Sequence, residues 1–212
     1  MMWPPQSEAD VAAITDAKKA LRRAVLVRRR ARPDDERAAL DHARFDRLRD
    51  FIAGRLPKSV ACYVSEPPEP ATLQLIAWFA AQDVPILLPV ITEPTDHDQL
   101  FGEPDWAPYD GPESLHRGRL SIIEPTGNPL GPTALAEADL IIVPGLAGGV
   151  DGRRLGRGGG WYDRALQHIG PGAVVVMLLN DDEVVEVIPS HGWDRRVDVI
   201  ITPTRVIAGT RR

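Results

Sequence analysis

Two unbroken apolar runs, Leu140-Ile-Ile-Val143 and Val174-Val-Val-Met-Leu-Leu179, limit what this chain can become. A strand with one wet face alternates apolar and polar residues, whereas a strand covered on both faces is apolar throughout. These runs therefore predict an α/β fold, a three-layer α/β/α sandwich whose mainly parallel, Rossmann-like central sheet carries helices on each side. The predicted strands are 60–64, 85–91, 120–123, 139–143, 173–179 and 197–201. Ser7-Glu-Ala-Asp10 reads as a capping box opening a long helix, with Ile14, Ala17, Leu21 and Val25 in period up to Pro33. Pro33-Asp-Asp-Glu36 begins a second helix, with Phe45, Leu48 and Ile52 on one face, and Leu56-Pro57 ends it. A third runs through Leu73, Ile76 and Phe79. Residues 92–116 hold few periodic apolar positions and read as irregular, with Leu100-Phe101 as a short strand within them.

At 212 residues and 43% apolar composition, one domain over residues 1–212 is expected, its first fifteen residues or so an extension or the start of the first helix. A formal net charge of −5 argues against a generally nucleic-acid-binding surface. The single cysteine, Cys62, excludes an internal disulfide and a cysteine metal cage, and reads as core filling in a strand. No apolar run approaches the roughly 20 residues that span a bilayer, and the start lacks the layout of a signal peptide, so a cytoplasmic protein is expected. The five histidines show no ligand spacing.

The chemistry-bearing segment is Arg153-Arg-Leu-Gly-Arg-Gly-Gly-Gly-Trp-Tyr-Asp-Arg164, which follows the apolar run through Val143. Gly156, Gly158, Gly159 and Gly160 free the backbone for positive φ and let amides approach an anion, while Arg153, Arg154 and Arg157 supply countercharge. A helix starting at Trp161 would add its first-turn amides. Asp163 makes no sense as a phosphate ligand but fits Mg²⁺, which takes one or two carboxylates beside phosphate oxygens. The run is neither a Walker A loop nor a dinucleotide fingerprint, since no Lys-Ser/Thr follows the glycines and Trp161 stands at the third glycine position. Taken as bare pattern, a glycine-rich surface turn remains open.

Read together with Val143-Pro-Gly-Leu-Ala147, this segment resembles the signature of the 5-formyltetrahydrofolate cyclo-ligase family, V-P-G/A-L-A followed by R-L-G-x-G-x-G-Y/F-Y-D. Further matches stand in family order: Lys18-Lys-Ala-Leu-Arg22, Tyr63-Val-Ser with Glu69 and Thr72, Glu124-Pro-Thr-Gly127, Ile188-Pro and Asp194. The resemblance implies ATP-dependent cyclisation of 5-formyltetrahydrofolate to 5,10-methenyltetrahydrofolate, with ADP and phosphate released through a phosphorylated formyl intermediate. It further implies that Lys18, Arg22, Arg154, Leu155, Gly156, Arg157, Gly158, Gly159, Gly160, Trp161 and Tyr162 bind ATP, with Arg154, Arg157 and Tyr162 catalytic. Glu69, Leu120, Trp161 and Tyr162 would border the folate, and Asp163 and Asp194 would hold Mg²⁺. A monomer acting on small molecules, with no membrane or nucleic-acid partner, is the expectation.

The residues alone leave rivals open. Lys18, Arg22 and Arg29 share one helix face, and the eight basic residues from Lys18 to Arg32 read as a solvated face or as an RNA-contacting helix. Glu69 and Asp194 each carry the ordinary reading of a solvated acid. A paralogue that keeps nucleotide binding without cyclisation is a further alternative, and a sugar-phosphate isomerase on the same architecture a weaker one. Four features depart from the family pattern: Gly148-Gly149 where an acid is usual, Trp161 in place of Tyr or Phe, Trp193 before Asp194 where His is frequent, and Leu120 where some members have an aromatic residue.

Overall fold

The computed structural model describes residues 7–96, 100–190 and 194–209. In chain order the elements are α1 (Glu8–Ala31), α2 (Asp34–Ile52), β1 (Val60–Ala61), α3 (Leu73–Ala80), β2 (Ile86–Ile91), β3 (Pro104–Pro108), β4 (Leu115–Arg117) and β5 (Ile123–Pro125). They continue with β6 (Leu140–Val143), β7 (Ala147–Gly149), β8 (Arg154–Leu155), α4 (Trp161–Ala165), β9 (Val174–Leu178), β10 (Val184–Val185), β11 (Val199–Ile201) and β12 (Val206–Ala208). Seven strands form the central sheet in the order β12-β11-β9-β6-β1-β2-β3, with parallel pairing from β11 through β2 and antiparallel strands at both edges. Smaller sheets are β10-β7-β8 and the β4-β5 hairpin.

The apolar runs behave as their composition requires. Side chains alternate across a strand, so Leu140, Ile142, Val176 and Leu178 pack on one face with Phe45 and Leu48 of α2 and Leu75, Ile76 and Phe79 of α3. Ile141, Val143, Val175 and Met177 pack on the other with Leu135, Trp161, Ala165 and Leu166. This is the expected three-layer arrangement. The long α1 lies apart from it: Val25, with Leu21 and Leu26 beside it, packs against Leu146, Ala147, Leu155 and Ile188 of the small β10-β7-β8 region. Its start is the expected capping box, Ser7 Oγ accepting from the Asp10 amide at 3.2 Å while Asp10 Oδ2 accepts from the Ser7 amide at 3.1 Å.

Several expected boundaries move. β1 stops at Ala61 because the chain departs from its neighbour after the Cys62 amide, and the Tyr63 carbonyl is taken by the Thr72 hydroxyl at 2.6 Å. Leu120 and Ser121 do not begin a strand: their φ values of 55° and 60° make a turn, and pairing resumes at Ile123. Phe101 is a bend instead of a strand, while β3, missed in the irregular region, supplies one sheet edge. The prolines at its two ends and the lack of clean alternation concealed it, and an edge strand is where proline is tolerated. Among the described residues no helix is long and apolar enough to cross a membrane.

Candidate active site

The glycine loop does not follow the central strand directly. Between Val143 and the loop the chain inserts the antiparallel pair β7–β8, and the loop leaves from Leu155. That hairpin explains Gly148: a Cβ there would lie 2.7 Å from Ile200 Cδ1, 2.8 Å from Met177 Cε and 2.9 Å from Leu179 Cδ1, so the position is closed to a side chain. The acid absent from this spot appears as Asp151, which accepts from Arg153 and Arg196.

Strand geometry also separates the arginines. Arg153 and Arg154 are neighbours across β8's start and point to opposite sides. Arg153 pairs with Asp151 in the turn, away from the loop, and so does not supply the countercharge expected of it. Arg154 turns inward: Nη2 donates to Asp163 Oδ1 at 2.9 Å, Nη1 to the Pro144 carbonyl at 3.4 Å, and Cζ lies 5.8 Å from the centre of the Tyr162 ring. Only Gly158 (φ 108°) and Gly160 (φ 68°) of the loop use positive φ. Gly159 is glycine for want of space, facing the Phe101 ring, while a Cβ on Gly156 would meet only the guanidinium tip of Arg154. The helix that follows has five residues, so its aligned peptide dipoles are few and the loop amides must carry any anion contact.

Helix α1 reaches this loop from outside the central sandwich. Lys18 and Arg22, one turn apart, face the same way. Lys18 Nζ lies 2.5 Å from Asp194 Oδ2, with both side chains largely buried, and Arg22 Nε donates to the Gly156 carbonyl at 2.8 Å. Burial lowers the Arg22 pKa, opposed by the charge of Asp194. The Arg195 amide donates to Asp163 Oδ1 at 3.2 Å, which places Asp194 one residue from a contact with the other proposed metal ligand. On the far side, Arg157 Nη2 and Nε lie 2.9 Å and 3.1 Å from Glu69 Oε1. Glu69 is itself held by its segment: the Glu66 amide donates to Oε2 at 3.2 Å, the Tyr63 hydroxyl to the Pro70 carbonyl at 3.0 Å, and the Ala71 amide to Asp41 Oδ1 at 2.9 Å.

Tyr162 lies between these groups. Its hydroxyl is buried with no hydrogen-bond partner, and burial, then Cys62, raises its pKa well above 10, against the opposing pull of Arg154. At neutral pH it is a neutral donor. Trp161 sits deeper than expected for a ligand wall, 5% exposed, its ring 5.2 Å from that of Trp106 and 4.7 Å from that of Tyr162. Leu120 is 50% exposed on its separate turn. Arg29, on the same face of α1, does not join the site but forms a buried pair with Glu183. Trp193, His97 and His191 lie outside the described residues.

The structure thus joins Lys18, Asp194, Asp163, Arg154 and Tyr162, with Arg22 of α1 bonded to the loop, Arg157 on the loop, and Glu69 bridged to Arg157. Four cations meet three carboxylates. Such a set can grip polyanionic phosphate, and each cation already holding a carboxylate can exchange it for a phosphate oxygen. Among the described residues no cluster of three or more metal-ligating side chains occurs. Asp163 and Asp194 are of the oxygen-donor type that Mg²⁺ takes beside phosphate and water, and each is held by a cation in this structure. Sequence reasoning missed Phe101, which packs on Gly159, and Arg164, which donates to the Phe101 and Gly102 carbonyls at 3.1 Å and 3.0 Å. No local pattern marks either.

The profile of the 5-formyltetrahydrofolate cyclo-ligase family matches residues 14–203. The 5-formyltetrahydrofolate cyclo-ligase of Mycolicibacterium smegmatis is 32% identical over 200 residues, covering 92% of this chain and 98% of that one. The enzyme of the same name from Escherichia coli K12 is 28% identical over 180 residues, covering 84% and 96%. The solution structure of 5,10-methenyltetrahydrofolate synthetase from Aquifex aeolicus superimposes with a TM-score of 0.74 at 28% identity, over 90% of this chain and 92% of that one.

Proposed function

The chain belongs to the 5-formyltetrahydrofolate cyclo-ligase family, and from that premise we propose that it converts 5-formyltetrahydrofolate to 5,10-methenyltetrahydrofolate at the cost of ATP. The observation that carries this reading is the contact chain Lys18–Asp194, Arg195–Asp163 and Asp163–Arg154, set against the Arg157–Glu69 pair across the glycine loop. It brings cations for a polyphosphate and a carboxylate for an organic substrate to one place.

An amide oxygen is a poor leaving group. Attack of the formyl oxygen on the γ-phosphorus, with ADP leaving, converts it to a phosphate ester and makes the formyl carbon electrophilic. N10 of the same molecule then bonds to that carbon, gives up its proton, and inorganic phosphate departs with the former formyl oxygen. The protein forms no covalent bond, so it acts through position and charge. Lys18 and Arg22 hold the nucleotide phosphates from α1. Arg154 and Arg157 follow the transferring phosphoryl group, and the amides of Gly156 to Gly160 line its path. Glu69, freed from Arg157, orients the formyl end of the folate, and Tyr162 offers its unused hydroxyl donor to the same region. Trp161 serves by fixing Tyr162 from within the core. Asp163 and Asp194 are the residues that would hold Mg²⁺, which would supply neutralisation of charge on the phosphate oxygens.

The test is direct. Purified protein with Mg·ATP and 5-formyltetrahydrofolate should yield the 5,10-methenyl chromophore together with stoichiometric ADP and phosphate. Binding of Mg·ATP with no methenyl product would refute the cyclisation and leave a nucleotide-binding module.

A further inference from the structure

Gly159 is the one glycine of the loop whose identity is dictated by a residue far away in sequence. Its φ lies outside the left-handed region, so its own backbone would admit a side chain. What excludes one is the Phe101 ring: a Cβ on Gly159 would lie 2.2 Å from Cε2 and 2.7 Å from Cδ2. Aromatic carbon is in effect filling the side-chain position of the phosphate loop.

Phe101 is delivered there by a strap with several fixed points. At its base the Gly102 amide donates to the Thr92 carbonyl at 3.1 Å and the Thr92 hydroxyl to the Glu103 carbonyl at 2.7 Å. Gly102 has no room for a side chain, since a Cβ would meet the Glu93 carbonyl oxygen at 2.2 Å. Arg164, just past the glycine loop, donates to the Phe101 and Gly102 carbonyls, and Arg119, adjoining Leu120, donates to the Leu100 carbonyl at 2.8 Å. Arginines from two other segments thus hold three consecutive carbonyls of one short stretch. The ring is partly buried against the core that includes Trp106 and Trp161. An irregular stretch anchored this heavily costs conformational entropy that loose surface chain would keep.

We propose that Phe101 is a positioning residue for the nucleotide: pressed on Gly159, it holds the Gly158–Gly160 backbone in the conformation that presents its amides to phosphate. The inference rests on the reading of the glycine loop as the ATP site. Phe101 makes no contact with the reacting atoms in this scheme, so losing it removes binding that ground state and transition state share.

The experiment uses the full chain with wild type assayed first; a wild type without methenyl product refutes the functional reading and not the strap. With an active wild type, Phe101→Ala should raise KM for ATP by about tenfold, with kcat and KM for 5-formyltetrahydrofolate within about twofold. Phe101→Leu, which refills most of the space, should recover most of the loss. Gly159→Ala should be severe in the wild type and much milder in the Phe101→Ala background, the sign of a direct steric pair. An unchanged KM for ATP in Phe101→Ala, or a fall in all constants tracking melting temperature alone, overturns the proposal. If Phe101→Ala does not fold, Phe101→Val, which removes the ring and does not refill its space, takes its place in the Gly159→Ala cycle, and equal Gly159→Ala losses in both backgrounds overturn the proposal.

Discussion

Asp163 and Glu69 are both acids paired with arginine, yet they stand on opposite sides of the glycine loop, and their loss should be felt by different substrates. Asp163→Ala removes a proposed Mg²⁺ ligand and leaves Arg154, whose side chain is 4% exposed, without its carboxylate. Affinity for Mg·ATP should fall about 10- to 100-fold in calorimetric titration, the range seen when carboxylate support of a metal site is lost. Glu69→Ala releases Arg157, which is 60% exposed and free to meet phosphate, so KM for ATP should change by less than about twofold while KM for 5-formyltetrahydrofolate rises about tenfold. Equal damage to both substrates in both variants would contradict this division. At this scale the sequence was partly legible. The arginine triplet and Asp163 could be picked out, but that Arg153 turns to Asp151 while Arg154 faces the site follows from the start of β8, a two-residue strand too short to announce itself by periodicity.

Among the elements, α1 has the most to fix, because it contacts the site without joining the central sheet. Its anchor is Arg29, 2% exposed, whose guanidinium makes bonds of 2.7 Å and 2.8 Å to Glu183 and one of 2.8 Å to the Gly145 carbonyl. Glu183 in turn accepts from the Asn180 amide at 2.9 Å and side chain at 2.7 Å, and Arg44 of α2 donates to Asn180 Oδ1 at 2.6 Å. Burial works against the Arg29 charge and the Glu183 contact restores it, so its pKa is raised. Arg29→Ala would leave Glu183 buried without a cation, a change that costs about 3–5 kcal/mol. Urea unfolding should show it, and Arg29→Met combined with Glu183→Gln should recover much of the loss, since neither partner is then charged; a loss under about 1 kcal/mol in the single variant would mean that the pair is not an anchor. The helix itself was readable from its capping box and apolar period. Its role was ambiguous, because eight basic residues between Lys18 and Arg32 look alike in sequence and only packing sorts Arg29 into a buried pair and Lys18 and Arg22 onto the loop.

For the molecule as a whole, a buried thiol and two buried tyrosines, Cys62 and Tyr63 just past β1 and Tyr162 on α4, set a limit at high pH. Burial pushes the Cys62 thiol up to about 12, and raises Tyr63 and Tyr162 well above their ordinary value. Between the unfolded thiol's pKa of 9.0 and about 12 the unfolded chain has lost a proton that the folded chain retains, so stability is complete below pH 9 and declines as pH rises through this window. Each such group steepens the decline by about 1.4 kcal/mol per pH unit. Denaturant midpoints measured from pH 8 to 11 should fall accordingly, Cys62→Ala should fall less steeply, and a flat profile would refute the burial of these groups. By itself the sequence determined the layered parallel sheet and the existence of a glycine- and arginine-rich loop, because apolar runs and glycine clusters act within a few residues of themselves. Tertiary structure alone decided which cations face that loop, that Arg157 meets Glu69 across 88 positions, and that Phe101 occupies the space beside Gly159. Those contacts depend on where whole elements pack, and packing is a property of the assembled core that no local stretch of chain encodes.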